Sequence, residues 1–229
     1  STILYDISTS PPTVKHHLEH HISAVTSVAF HPSLPLLATG SDDKSTILYD
    51  LSNICTSPPT VKYHLKHHTK YVIAVTFHST LPLLATCSYD YSTILYDIST
   101  SPPTIKCRLN NHAHSTIFHS SLPCLATGTW ENSAIIYDIS TSPPAIKYRF
   151  NGNNVWVRFV SVHPNFLFLA TCSADNLIII YDISTSPPTI KSKHCHTQII
   201  ISVVFHSSLP LLAIGSRDGS IILYNINEL

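Results

Sequence analysis

The chain has 229 residues, 44% of them hydrophobic, which allows a sizeable core and excludes a disordered segment. Charged residues make up only 11%, with 13 basic side chains against 13 acidic ones, so there is no basic field for nucleic acid and no polybasic patch for a membrane. The surface must instead be Ser, Thr, Asn, Tyr and His, which repel one another weakly and favour self-association.

No apolar run approaches the ~18 residues of a spanning helix; the longest, such as Leu177–Tyr181, are strand-sized. The chain opens on STILYD (Ser1–Asp6), followed by a Pro-Pro turn and the strand Thr13–Leu18. The first full unit begins with a His-rich loop, Glu19–Ser23. An apolar strand Val25–Phe30, the turn His31–Pro35 and a second strand Leu36–Ser41 follow. A tight turn at Asp42–Lys44 leads to a third strand, Ser45–Leu51. The pair Pro58-Pro59 then separates it from a fourth, more polar strand, Thr60–Leu65. Val, Ile, Thr and Tyr fill the strands, and Pro, Asp, Asn and Ser fill the breaks.

That order repeats. SDDKSTILYD (Ser41–Asp50) returns as SYDYSTILYD, TWENSAIIYD, SADNLIIIYD and SRDGSIILYN, ending at Asp97, Asp138, Asp182 and Asn225. Its tyrosines at Tyr5, Tyr49, Tyr96, Tyr137, Tyr181 and Tyr224 are 44, 47, 41, 44 and 43 residues apart. LSNICTSPP after Asp50 is an insertion, and HAHSTIFH beside HTKYVIAVTFH is a deletion. Four strands per period of about 44 residues describe a propeller blade, all-β and antiparallel. The first and second strands are nearly all apolar and are expected to be covered on both faces. The fourth alternates and carries Lys and Arg, as suits an outer edge. The repeats fall at residues 19–65, 66–109, 110–150, 151–194 and 195–229, after a partial blade at 1–18.

The chain resembles the WD-repeat β-propellers over essentially its whole length. The family's G-H slot reads His20-His21, His67-His68, Asn111-His112, Gly152-Asn153 and Cys195-His196. The turn acid reads Asp43, Asp90, Asp175 and Asp218, with Asn132 in the third copy. The W-D slot reads Tyr49-Asp50, Tyr96-Asp97, Tyr137-Asp138, Tyr181-Asp182 and Tyr224-Asn225. The resemblance implies a hydrogen-bonded tetrad in each blade, made of loop His, turn Asp, a second-strand Ser or Thr and the third-strand aromatic. It assigns His21, Asp43 and Tyr49; His68, Asp90 and Tyr96; His112 and Tyr137; Asp175 and Tyr181; and His196, Asp218 and Tyr224. Tyr stands for Trp throughout. The third copy lacks the Asp and the fourth the His, so weaker clamps are expected there. The strand count gives about five blades, with Thr13–Leu18 expected to close the last one and one strand left over. That fits either a five-bladed ring or, the favoured reading, an excerpt of a larger one.

The candidate chemistry is sparse. Five histidines, His31, His78, His119, His163 and His206, follow the first strand of each unit. They would ring one channel mouth, where they could take a metal or respond to pH. Against this, an F-H-P turn uses such a His to cap its own backbone. The short tracts His16-His17 and His194-x-His196 lack carboxylate or thiolate partners, so no metal is assigned. Ser, His and Asp recur alike from copy to copy, as a scaffold requires and a catalytic site does not; no enzyme activity and no cofactor are expected. Six cysteines without a C-x-x-C pair suit a reducing compartment, so an intracellular, cytoplasmic location is expected, with the nucleus as the alternative.

The copies differ at two positions. The middle residue of S-x-D reads Asp42, Tyr89, Trp130, Ala174 and Arg217. The third residue after the loop His reads Ala24, Tyr71, Trp156 and Ile199. Tyr, Trp and Arg anchor interfaces, so Tyr71, Tyr89, Trp130, Trp156 and Arg217 are the candidate partner-binding residues. The resemblance then implies a non-enzymatic scaffold that binds proteins or peptides, with neither nucleic acid nor membrane as partner. The alternatives are a metal- or pH-responsive protein using the turn histidines, and a degenerate repeat fragment without a partner.

Overall fold

The computed structural model describes residues 1–228, which are all-β apart from one turn of 3-10 helix at Ile226–Glu228. The chain forms two compact units, one of residues 1–90 and 94–106, the other of residues 91–93 and 107 onward.

In the first unit β1 (Thr2–Asp6) and β2 (Thr13–Leu18) form a two-stranded antiparallel sheet. A four-stranded sheet follows in chain order: β3 (Val25–Phe30), β4 (Leu36–Ser41), β5 (Thr46–Asp50) and β6 (Thr60–Leu65). The next sheet is β7 (Val72–Phe77), β8 (Leu83–Ser88), β9 (Ser92–Asp97) and β10 (Thr104–Asn110). In the second unit β11 (Ala113–Phe118), β12 (Cys124–Thr129), β13 (Ala134–Asp138) and β14 (Ala145–Phe150) make one sheet. Another is β15 (Val157–Val162), β16 (Phe168–Ser173), β17 (Leu177–Asp182) and β18 (Thr189–Cys195). The last holds β19 (Ile200–Phe205), β20 (Leu211–Ser216) and β21 (Ile221–Asn225). The sheets are blade-like, each strand pairing with the next through a short turn, which is the connection an antiparallel ladder permits. β2 pairs with β1 along its length, so the expectation that it closes the last sheet does not hold.

Burial separates the strands differently from the apolar count. β4, β8 and β12 are buried at every residue and β5 at all but its last. The first strand is only half covered: β3 alternates, and Val28 and Phe30 are more than half exposed. The reason is position. The first strand lies at an edge of its sheet, whereas the second and third have a strand on each side. The fourth strand is the most exposed, as expected, and Lys15 and Lys62 on it pair with Asp6 and Asp50 at 3.6 and 3.4 Å.

The cores lie between neighbouring sheets. Leu36, Leu48, Val72, Val75, Leu84 and Ile94 form one in the first unit; Ile136, Phe150, Val160, Leu169 and Ile179 form another in the second. Gly40 sits where two sheets approach closely: a Cβ there would stand 2.7 Å from Val72 Cγ1.

Candidate functional site

The loop before each first strand and the turn after each second strand meet at one end of every sheet. In the first full sheet His21 bridges them. Its Nδ1 lies 2.8 Å from Asp43 Oδ2 and its Nε2 2.7 Å from Thr39 Oγ1. Asp43 also accepts from the Ile22 N–H at 3.1 Å and from the Ser45 amide and hydroxyl. Burial alone would raise the Asp43 carboxyl, but the hydrogen bonds from Ser45 and His21 outweigh it and hold it at about 2. The next sheet repeats the arrangement: His68 lies 2.8 Å from both Asp90 and Thr86. Tyr49 and Tyr96 are buried beneath, with His20 and His67 tilted against their rings and the Tyr96 hydroxyl 3.2 Å from His67 Nδ1. Burial pushes the Tyr49 phenol up.

The other sheets depart from this. In the third copy the register assigned from the sequence is off by one on both sides. Glu131, not Asn132, occupies the acid position, its N–H donating to Thr129 Oγ1 as the Asp43 N–H donates to Ser41 Oγ. Asn132 instead takes the left-handed turn position (φ 58°) that Lys44, Tyr91 and Asn176 hold elsewhere. Likewise Asn111 fills the imidazole slot, donating to Thr127 Oγ1 at 3.5 Å and accepting from Thr93 at 3.1 Å. His112 is turned out, 3.4 Å from Glu131. The acid is therefore retained in this copy but reaches an exposed ring. The deletion in HAHSTIFH accounts for the slip on the loop side; on the turn side there is no gap, and counting two residues on from Thr129 finds Glu131.

In the fourth copy Asn153 takes the slot and accepts from Thr171 at 3.3 Å, while Asp175 turns to the Ser173 hydroxyl at 2.5 Å. The Tyr181 ring packs 4.6 Å from Phe150, and a Cβ at Gly152 would press on its hydroxyl, so the bare backbone there gives the phenol its place. The fifth copy has the His and Asp but does not bond them. His196 is half-buried and pairs with the Gln198 backbone, and Asp218 accepts from Ser220. Ile214 stands where Thr39 and Thr86 stand, so the inward imidazole nitrogen would find no hydroxyl. Tyr224 packs against His194 at 4.7 Å.

The five turn histidines share one geometry. Each Nδ1 accepts two N–H groups of its own turn: those of Ser33 and Leu34 at His31, Thr80 and Leu81 at His78, and Ser121 and Leu122 at His119. His163 and His206 do the same with Asn165 and Phe166 and with Ser208 and Leu209. Among the described residues no three His, Cys, Asp or Glu side chains gather as metal ligands would. The Asp of each Tyr-Asp pair serves its own loop, since Asp6, Asp50, Asp97, Asp138 and Asp182 each accept from the serine two residues on.

The two variable positions face each other across the turn. The N–H of Tyr89 donates to the carbonyl of Tyr71, Trp130 to His112, Ala174 to Trp156 and Arg217 to Ile199, each near 3.0 Å. His112 thus belongs to this row and not to the clamp. Tyr71 and Tyr89 meet edge to face at 6.3 Å in the first unit. In the second, Trp130 and Trp156 stack at 4.2 Å with their planes 13° apart, and His114 packs on both. Arg217 is exposed on the last sheet.

A third row was not legible in the sequence. Every first strand carries a β-bulge at its second residue, so that Thr26, Ile73, His114, Arg158 and Ile201 have no cross-strand partner. A bulge re-aims a side chain away from the regular alternation. His114 and Arg158 are brought by it against the tryptophans, with Arg158 lying 5.4 Å from the Trp156 ring. The His114 imidazole is held below its ordinary value, by burial first and by the Arg158 cation, and its Nδ1 bonds the Arg158 carbonyl at 3.0 Å.

The WD domain, G-beta repeat family matches residues 12–50, 59–97, 145–182 and 188–225, more than half of the chain. Each match runs from a fourth strand to the next third strand, and the first three strands of the shortened third copy fall between matches. Ribosome biogenesis protein BOP1 of Rattus norvegicus, and that of Mus musculus, are each 54% identical to this chain over 43 residues. Those residues are 19% of this chain, and the chain spans only 6% of the length of these curated relatives. The shared stretch is one repeat long.

Proposed function

The chain belongs to the WD domain, G-beta repeat family, and from that premise we propose that it is a non-enzymatic platform that docks partner proteins or peptides where its clamp loops and turns meet. The observation that carries this reading is the half-exposed stack of Trp130 on Trp156. Aromatic pairs of this kind offer large apolar area at low entropic cost, which is why they dominate interface energetics. Tyr71 with Tyr89 supplies a smaller aromatic pair in the first unit. The clamp residues repeat one structural role and leave no nucleophile and base set apart for chemistry. The metal- or pH-responsive alternative needs turn imidazoles free to ligate, yet each Nδ1 accepts two amides of its own turn. The single repeat shared with the BOP1 proteins supports the repeat fold and carries no role in ribosome biogenesis across to this chain.

The test is quantitative pull-down with the full chain and its Trp130→Ala/Trp156→Ala double variant. The expected result is loss of most captured partners while the β-sheet circular dichroism is unchanged. Retention of the same partners by the double variant would refute the platform.

A further inference from the structure

We infer that Arg158, beside the Trp130–Trp156 stack, receives a carboxylate side chain of an acidic peptide segment in the docked partner. The inference rests on the platform reading and adds the chemistry of what docks.

Three observations carry it. First, Arg158 is aimed by the β15 bulge, which takes it out of the ladder and leaves its guanidinium near two aromatic rings, 5.4 Å from Trp156 and 5.6 Å from Phe159. Contacts of this kind restrict the planar guanidinium, so less side-chain freedom is lost when its fork meets a carboxylate. Second, the cation is unanswered. Among the described residues Arg158 forms no ion pair, no acceptor meets its side-chain N–H groups, and its Nε is buried without one. A half-buried charge without a partner is costly, and an incoming anion removes that cost. Third, the acids that could answer it are engaged. Glu131 lies 3.4 Å from His112 and 3.9 Å from Arg149, and Asp175 accepts from Ser173 and from the Leu177 amide. The apolar floor beside the cation is the indole stack, so the matching ligand is a peptide with a carboxylate next to an apolar or aromatic residue.

The test selects binders from a random-peptide library on the full chain. The most enriched peptide is then synthesised with its Asp and Glu residues intact, replaced by Asn and Gln, or replaced by phosphoserine. Affinities are read by anisotropy of the labelled peptides. Emission of the chain gives the location, because Trp130 and Trp156 are its only two tryptophans. The expected outcome is enrichment of acidic residues, tryptophan emission that changes on binding, and a tenfold or greater loss for the amide peptide on the unaltered chain. Arg158→Gln should lose as much and then no longer distinguish acid from amide, while Arg158→Lys recovers only part, lacking the fork. A library without acidic enrichment, or an amide peptide that binds equally well, overturns the inference. So does phosphoserine binding more than tenfold tighter than carboxylate, which would make the occupant a phosphopeptide. If Trp130→Ala loses the peptide while Arg158→Gln keeps it, the carboxylate assignment falls and the platform stands; if neither loses it, both fall.

Discussion

Whether a loop histidine clamps its turn is decided by the residue eighteen positions further on. At Thr39 and Thr86 a hydroxyl answers the inner imidazole nitrogen, and the ring turns inward to reach the aspartate as well. At Ile214 no hydroxyl is present, and His196 bonds the Gln198 backbone instead of Asp218. Asp43→Asn should therefore cost about 1–3 kcal/mol, the usual cost of upsetting a buried hydrogen-bonded group, while Asp218→Asn leaves the melting curve unchanged. The Asp43 carboxyl sits at about 2 when folded, below its ordinary ~3.9. It contributes stability above pH ~3.9 that is lost as the pH falls through its folded value. Melting temperatures measured from pH 5 to 2 should drop less for Asp43→Asn than for the unaltered chain. The clamp in the first two sheets was legible because His, Asp and Thr stand at fixed spacings. In the third the deletion obscures the loop position, so that His112 stands in for Asn111, and Asn111 gives no sign that an amide fills an imidazole slot; the turn has no gap, and Asn132 stands in for Glu131 because an amide resembles Asp in shape and Glu131 is one carbon longer.

Among the elements, strand bounds followed closely from apolar runs broken by Pro, Asp and Ser: Val25–Phe30, Leu36–Ser41 and Thr60–Leu65 are strands as expected. What the runs could not convey was which strand lies at an edge. VTSVAF and LLATGS are similarly apolar, yet Phe30 is exposed and the whole of β4 is buried. The bulge was equally hidden, because one extra residue alters pairing without altering hydrophobicity. The turn after the first strand is held by its histidine, so His31→Ala should cost about 1–2 kcal/mol by leaving two amides without an acceptor. His31→Asn should recover part of this through an Asx turn. Burial holds the His31 imidazole below its ordinary ~6.5. Its contribution is thus complete above pH ~6.5 and falls away as the pH drops through the lower folded value. Thermal melts at pH 7.5 and 5.5 should show the gap between His31→Ala and the unaltered chain narrowing at the lower pH.

Over the whole chain the repeat was the clearest signal, since six tyrosines at nearly equal steps imply one unit copied, whatever each copy does. The low charge also had a visible outcome. β21 ends the last sheet with Ile221 and Leu223 at 75% and 65% exposure and, among the described residues, no fourth strand beside it. An open apolar edge of this kind invites pairing with another chain. Sedimentation velocity should show concentration-dependent association that Ile221→Lys/Leu223→Lys reduces; an unchanged distribution would exonerate this edge. Partner identity was not legible at any level, because the residues that vary between copies are those that the fold leaves unconstrained.

The bulges bear on how such a protein changes over generations. Ile73, His114, Arg158 and Ile201 occupy one slot that the ladder does not police, so exchanging one of them leaves its sheet's pairing intact. Each copy thereby carries an independently mutable letter beside a fixed frame. A lineage that duplicates the unit gains fresh letters without endangering the old ones, and its binding preference can drift by single codons while the fold stands still.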